Sequence, residues 1–189
     1  MLMSRRDSDT PLGYRDRWRT PCRRTNPAAA PVFEIAETFF GGFDLDAAAE
    51  AGNALCSAWL GPGGGSFSDG LSFGWRTATP WPTRVWCNPP YSSPNLKLWT
   101  AKAVQEADRG ANIVMLVPLD PNGWFVENVV PHAMVHILYP RINFLYPDGS
   151  LSKGAPAATC LVQYAGSVKP RMTGFRVINW REWSYANGS

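Results

Sequence analysis

Arg84-Val85-Trp86-Cys87-Asn88-Pro89-Pro90-Tyr91 carries a short apolar strand (84–87) directly into a loop with two consecutive prolines. Pro94 to Asp108 follows as an amphipathic helix, with Leu98, Ala101 and Val104 or Gln105 at helical spacing. Ile113 to Val117 (IVMLV) then reads as a buried strand. Strand, helix and strand in that order make one unit of a parallel sheet. In such a sheet ligands bind beyond the carboxyl ends of the strands, where Asn88-Pro89-Pro90-Tyr91 falls.

Working outward, the pattern continues in both directions. Upstream, Asn26 is placed to cap a helix from about Ala28 to Phe40, which Gly41-Gly42 stops. Phe43-Asp44-Leu45-Asp46 reads as a short buried strand, and Ala47 to Leu60, rich in helix formers though interrupted by Gly52, as a helix. Gly61 to Asp69 (GPGGGSFSD) is a loop whose glycines do not form the GxGxxG of a phosphate-binding turn. Downstream come a short helix at Trp124 to Val130 and a strand at Met134 to Leu138. Two further strands, Ile142 to Leu145 and Ala157 to Tyr164, are joined by a polar loop.

The expected fold class is therefore α/β: a doubly wound, mostly parallel sheet with helices on both faces and a terminal antiparallel strand pair. Residues 1–17 read as a flexible basic arm, 18–165 as one domain, and 166–189 as a tail packing Phe175, Trp180 and Trp183 on the body.

Composition bounds what such a domain does. The 189 residues are 45% hydrophobic and 17% charged, a globular balance with room for one ordinary core. No apolar run approaches the roughly 18–20 residues that span a bilayer, and the start lacks the apolar core of a signal peptide. A soluble, cytoplasmic protein is expected. Four scattered cysteines and two histidines, His132 and His136, make no zinc-like spacing, so no metal is expected and the thiols read as free. The net charge is only +3, yet arginines crowd the first 24 residues, and Lys169, Arg171, Arg176 and Arg181 follow near the end. Such clusters suit phosphate contacts, although arginine-rich tails are also often just solvated.

The prolines of the central loop matter chemically. They remove two backbone donors and leave carbonyls free to accept. The Asn88 side-chain oxygen and the Pro89 carbonyl together can take both hydrogens of an aromatic amino group. The amine nitrogen then moves toward sp³ character and exposes its lone pair to an electrophilic methyl, with no strong base required. Tyr91 offers a flat face on which a base rotated out of a duplex can stack, an interaction worth roughly 1–3 kcal/mol. The plain alternative is a strand-ending turn in which the prolines only break structure.

The chain resembles the phage-type DNA N-6-adenine methyltransferases, a family of Rossmann-like, S-adenosyl-L-methionine-dependent enzymes with an NPPY motif. The matching pieces are Trp18-Arg19-Thr20-Pro21, Phe43 to Ala49 (FDLDAAA), Asp69-Gly70-Leu71 and Val85 to Tyr91 (VWCNPPY). Val114 to Pro118 (VMLVP), Trp124-Phe125 and Arg141-Ile142-Asn143-Phe144 follow in the same order. The resemblance implies transfer of a methyl group from S-adenosyl-L-methionine to adenine N6 of a flipped base in DNA.

It also implies roles residue by residue. Asn88, Pro89, Pro90 and Tyr91 form the catalytic loop. Asp46, with Ala47 behind it, sits by the methionine or ribose part of the cofactor, a role that competes with N-capping the next helix. Asp69 accepts from the cofactor's adenine amine beside Leu71, or alternatively only shapes an Asp-Gly turn. Thr20 and Pro21 close over the methionine end, or form a plain loop. Arg19 and Arg141 meet the nucleic acid, with a surface salt bridge as the alternative for Arg141. Trp124 and Phe125 either wall the pocket or belong to the core. Glu50 and Asn53 lie within reach of the same pocket, or face solvent.

The chain also departs from the family pattern. Asp46-Ala47-Ala48-Ala49 stands where a glycine-rich FxGxG loop is usual, and no block is large enough for a separate target-recognition domain. Other acceptors therefore stay open: cytosine N4, a ribosomal RNA guanine, or a protein glutamine amide. So does a non-catalytic relic that still grips DNA. DNA is the expected partner, the chain a monomer or weak dimer, and the compartment the bacterial cytoplasm if it is encoded by a phage or prophage.

Overall fold

The computed structural model describes residues 32–50, 52–61, 69–75, 83–144, 157–166 and 170–182. The expected basic arm, the start of the first helix, most of the glycine-rich loop, Trp183, Arg19, Thr20 and Pro21 lie outside the described residues.

Along the chain the elements are α1 (Val32–Phe40), β1 (Leu45–Asp46), β2 (Ala58–Trp59), β3 (Arg84–Cys87), α2 (Ser93–Asp108), β4 (Asn112–Pro118), α3 (Gly123–Asn128), β5 (Met134–Tyr139), β6 (Thr159–Ala165) and β7 (Gly174–Asn179). The strands form one seven-stranded sheet in the order β2-β1-β3-β4-β6-β5-β7. β2, β1, β3 and β4 pair in parallel, as do β5 and β7. β6 runs antiparallel to both of its neighbours, β4 and β5. The sheet is thus mixed and mostly parallel.

Helices cover both faces, and two adjacent residues of β6 demonstrate it. Gln163 lies 3.4 Å from the His136 ring of β5, and that ring meets Phe40 of α1 edge-on at 5.1 Å. Successive strand residues point to opposite faces. Tyr164 accordingly turns the other way, and its hydroxyl donates to the Asn128 carbonyl at the end of α3 at 3.1 Å. α2 lies beside α3, since the Asn128 amide donates to Thr100 Oγ1 and to the Lys97 carbonyl. Burial lowers the pKa of His136, so it is a neutral packing residue.

Four expectations need correction. First, Ala47 to Leu60 is not a helix. Its backbone bonds go elsewhere: Ala47 N–H to the Trp86 carbonyl (2.9 Å), Ala49 N–H to Leu60 and Leu60 N–H back to Asp46. A segment tied to two strands closes an isolated i→i−4 bond, Ala54 N–H to the Glu50 carbonyl, rather than a run of them, so tertiary pairing overrides propensity. Second, α2 buries Leu96, Trp99, Thr100, Ala103, Glu106 and Ala107, whereas Leu98 is 56% exposed. Both stripes fit helical spacing, and the buried one was hidden by its two polar members. Third, Ile142 to Phe144 is not a strand, and the antiparallel partner of β6 is β5 on one side and β4 on the other. Fourth, the segment after 166 adds an edge strand. There Trp180 packs on the core and donates to the Pro140 carbonyl, but Phe175 is 55% exposed.

The core runs through β3, β4 and β6: Val85, Trp86, Ile113, Met115, Leu116, Val117, Leu161 and Val162 are all buried. The near-continuous apolar run of β4 matches a strand covered on both faces. Cys87 and Cys160 are free, and burial pushes both thiols up, which makes them inert packing groups. Among the described residues no helix is long and apolar enough to cross a membrane.

Candidate active site

The strand order reverses between β1 and β3. From β1 the chain moves outward to β2, then returns to the other side of β1 to make β3 and continues away to β4. The crevice outside the carboxyl ends at such a reversal is where open α/β sheets take ligands. β1 ends in Asp46, opposite Trp86, and β3 ends in Cys87, so Asp46 and Asn88 stand at adjoining strand ends. The Ala47–Trp86 backbone bond ties the two ends together.

Asp46 is 3% exposed. Its Oδ1 accepts from Ala48 N–H (3.3 Å) and its Oδ2 from Leu55 N–H (3.2 Å). Among the described residues up to Leu60 no helix follows it, so it caps none. It is instead the hub around which the 47–55 segment turns. Burial outweighs the two hydrogen bonds and raises its pKa to about 6.

That value has a testable consequence. Between about pH 4 and 6 the folded carboxyl keeps a proton that the unfolded chain has lost, so stability from this group falls as pH rises through 6. From pH 5 to 7 the loss is about 1 kcal/mol, or roughly 2–4 °C in melting temperature. Melting curves of wild type and Asp46→Asn should diverge by this amount over that interval, with the variant lacking the slope. Parallel pH profiles would contradict it.

The Asp69-Gly70-Leu71 turn packs against the same strand end. A β-carbon on Gly70 would fall 2.1 Å from the Ala47 carbonyl oxygen and 2.7 Å from the Trp99 ring, so only glycine admits this approach. Gly61, at φ +146°, presses likewise on Ala49. Asp69 Oδ1 accepts from Leu71 N–H at 2.9 Å and Oδ2 from the Ser72 hydroxyl, so its carboxylate shapes its own turn. Leu71 packs on the core edge. Asn53 Oδ1 caps Glu50 N–H at 2.7 Å, a local turn.

The turn is anchored from below by a residue that sequence reading passed over. Glu106 is fully buried in α2 and meets Lys102 at 2.7 Å and Arg109 at 2.9 Å. Its other oxygen accepts from Trp75 N–H at 3.3 Å, while the Trp75 indole donates to the Gly70 carbonyl at 2.7 Å. A Glu flanked by Lys and Arg on a helix looks like a solvated charge cluster, and nothing local marks it as buried.

Asn88, Pro89, Pro90 and Tyr91 are all buried. Tyr91 Oη lies 2.9 Å from Asn88 Oδ1 and 3.0 Å from the Leu116 carbonyl of β4. The Asn88 amide nitrogen is buried without a hydrogen-bond partner among the described residues. The Tyr91 ring is 8% exposed and meets Phe144 edge-on at 6.1 Å. Phe144 stands in the Arg141-Ile142-Asn143-Phe144 stretch, whose Arg141 is exposed and has no acidic partner among the described residues. Trp124 and Phe125 pack edge to face at 5.3 Å in the core.

A family model described as DNA N-6-adenine-methyltransferase (Dam) matches residues 7–183, nearly the whole chain. The chain belongs to the DNA N-6-adenine-methyltransferase family. Among its relatives is a DNA N-6-adenine-methyltransferase of Escherichia phage T1, 31% identical over 121 residues. That match covers 64% of this chain and 43% of the phage T1 protein, less than half of the relative's length. Within this DNA N-6-adenine-methyltransferase fold, Asp46, Ala47, Asp69, Leu71 and the 88–91 loop converge on one end of the sheet.

Proposed function

We propose that the chain is a Rossmann-like methyltransferase that moves a methyl group from S-adenosyl-L-methionine to N6 of an adenine in DNA. One observation carries this reading above the others: Asp46 and Asn88 occupy adjoining carboxyl ends at the point where strand order reverses. Family membership supports the choice of reaction.

The residues at the site suit the cofactor. Asp46 is a buried carboxyl held by backbone N–H groups at the end of β1, where a cation or hydroxyl donor would favour its ionised form. With Ala47, Asp69 and Leu71 it would hold the cofactor, and Thr20 and Pro21 would add to that pocket. When bound, S-adenosyl-L-methionine supplies a methyl group on a positively charged sulfur.

The acceptor side belongs to the 88–91 loop. The Asn88 side-chain oxygen and the Pro89 carbonyl take the two amino hydrogens, drawing the N6 lone pair out of the ring system. Pro89 and Pro90 contribute no N–H to compete for those carbonyls. The Tyr91 ring receives the flipped base once its neighbour Phe144 gives way, because only 8% of Tyr91 is exposed as it stands. Arg141 and Arg19 would meet the DNA backbone. The proton leaves after the methyl arrives, so no histidine base is needed.

The test is incubation of DNA with methyl-labelled S-adenosyl-L-methionine, followed by nucleoside analysis. Label in N6-methyladenine is the expected result. Label in N4-methylcytosine would correct the base, and unlabelled DNA would overturn the proposed function.

A further inference from the structure

Asn88 and Tyr91 share a hydrogen-bond mismatch at the end of β3. The Tyr91 hydroxyl has one hydrogen, yet it faces two oxygens, Asn88 Oδ1 at 2.9 Å and the Leu116 carbonyl at 3.0 Å. Meanwhile the Asn88 amide nitrogen, with two hydrogens to donate, is buried with no partner among the described residues. Asn88 itself is 2% exposed, so water does not relieve the mismatch cheaply.

The Leu116 carbonyl can only accept. β3 last pairs at Cys87, opposite Met115, so Leu116 extends one residue past the end of β3, and there it meets the Tyr91 hydroxyl. If the hydroxyl hydrogen goes to Leu116, the Tyr91 oxygen has lone pairs for a donor on the other side. An asparagine amide is nearly symmetric in shape, and a half-turn about its last bond exchanges nitrogen for oxygen. Turned so, Asn88 Nδ2 donates to Tyr91 Oη, and Tyr91 donates to Leu116. The atom left unpaired is then the amide oxygen, a buried acceptor with no protein donor.

We propose that the Tyr91 hydroxyl locks the Asn88 amide in this orientation, nitrogen inward and oxygen outward, making Tyr91 a positioning residue for Asn88 in addition to a stacking surface. The inference rests on the amino-methyl transfer proposed above, because an amino group is the substrate that needs the bare oxygen. Presented the other way, Asn88 would offer two N–H donors to an NH₂ donor and repel it.

Tyr91→Phe separates the two roles, since it keeps the ring and removes the hydroxyl. With methyl-labelled S-adenosyl-L-methionine and DNA, kcat should fall at least tenfold, while KM for DNA and the cofactor Kd stay within about twofold. A surface used only for stacking would leave kcat unchanged, and that result overturns the proposal. In the wild-type protein, ¹⁵N NMR should show the Asn88 side-chain amide hydrogens protected from exchange, and Tyr91→Phe should remove that protection. Exchange at the rate of a free asparagine in the wild type would also overturn it, whether or not the variant folds. Asn88→Ala run in parallel keeps the two readings apart: turnover surviving in Asn88→Ala sinks the proposed function, whereas loss there with full activity in Tyr91→Phe sinks only the lock.

Discussion

Asn88→Ala should reduce methyl transfer to DNA by at least 10²–10³-fold, the cost typical of removing one preorganised polar group from the reacting centre. The loss should appear in kcat. Cofactor affinity should hold within about twofold, because Asn88 leads out of β3 whereas the carboxylate assigned to the cofactor side belongs to β1. Stability should change little, since the Tyr91 hydroxyl keeps the Leu116 carbonyl as a partner when the amide is gone. Rapid-quench measurement of one turnover, with cofactor binding followed by calorimetry, separates these terms. Turnover near the wild-type rate would mean that the amine is not held by this side chain.

Glu106→Ala should have the largest effect on folding. The carboxylate is fully buried between Lys102, whose side chain is 10% exposed, and Arg109. Removing it leaves the nearly buried Lys102 uncompensated, while Arg109, 59% exposed, is screened by solvent, so the cost is about 3 kcal/mol, the low end for a broken buried pair. For a domain of this size that is a fall of roughly 10 °C in melting temperature. The effect should reach the site as well, because Glu106 holds Trp75 N–H and the Trp75 indole holds Gly70 against Ala47. Cofactor affinity should weaken more in Glu106→Ala than in Glu106→Gln, which retains an acceptor for Trp75. Equal melting points for wild type and the alanine variant would show that the buried cluster carries no net stability.

Which parts of this molecule could be read from its sequence follows from what local residues can signal. The 84–91 stretch, the helix at 93–108 and the strand at 112–118 were legible because each carries its own periodicity or its own breakers. Asp46 was legible as the end of the first core strand but not as the centre of a turn. Ala47, Ala48 and Ala49 favour a helix in isolation, and only their bonds to Leu60 and Trp86 reveal otherwise. β7 was read as tail because Phe175, Arg176 and Val177 are exposed on an edge strand, so no buried alternation announces them. The contact of Tyr91 with Leu116 spans 25 residues, and Glu106 with Trp75 spans 31. Sequence spacing carries no trace of such pairs.

The bond between Ala47 N–H and the Trp86 carbonyl sets a ruler between the ends of β1 and β3. Neighbouring strands lie about 4.8 Å apart, and in the proposed function the cofactor-holding and amine-holding residues are mounted on adjacent ones. On that reading the spacing between the two halves of the site is set by peptide geometry rather than by flexible side chains.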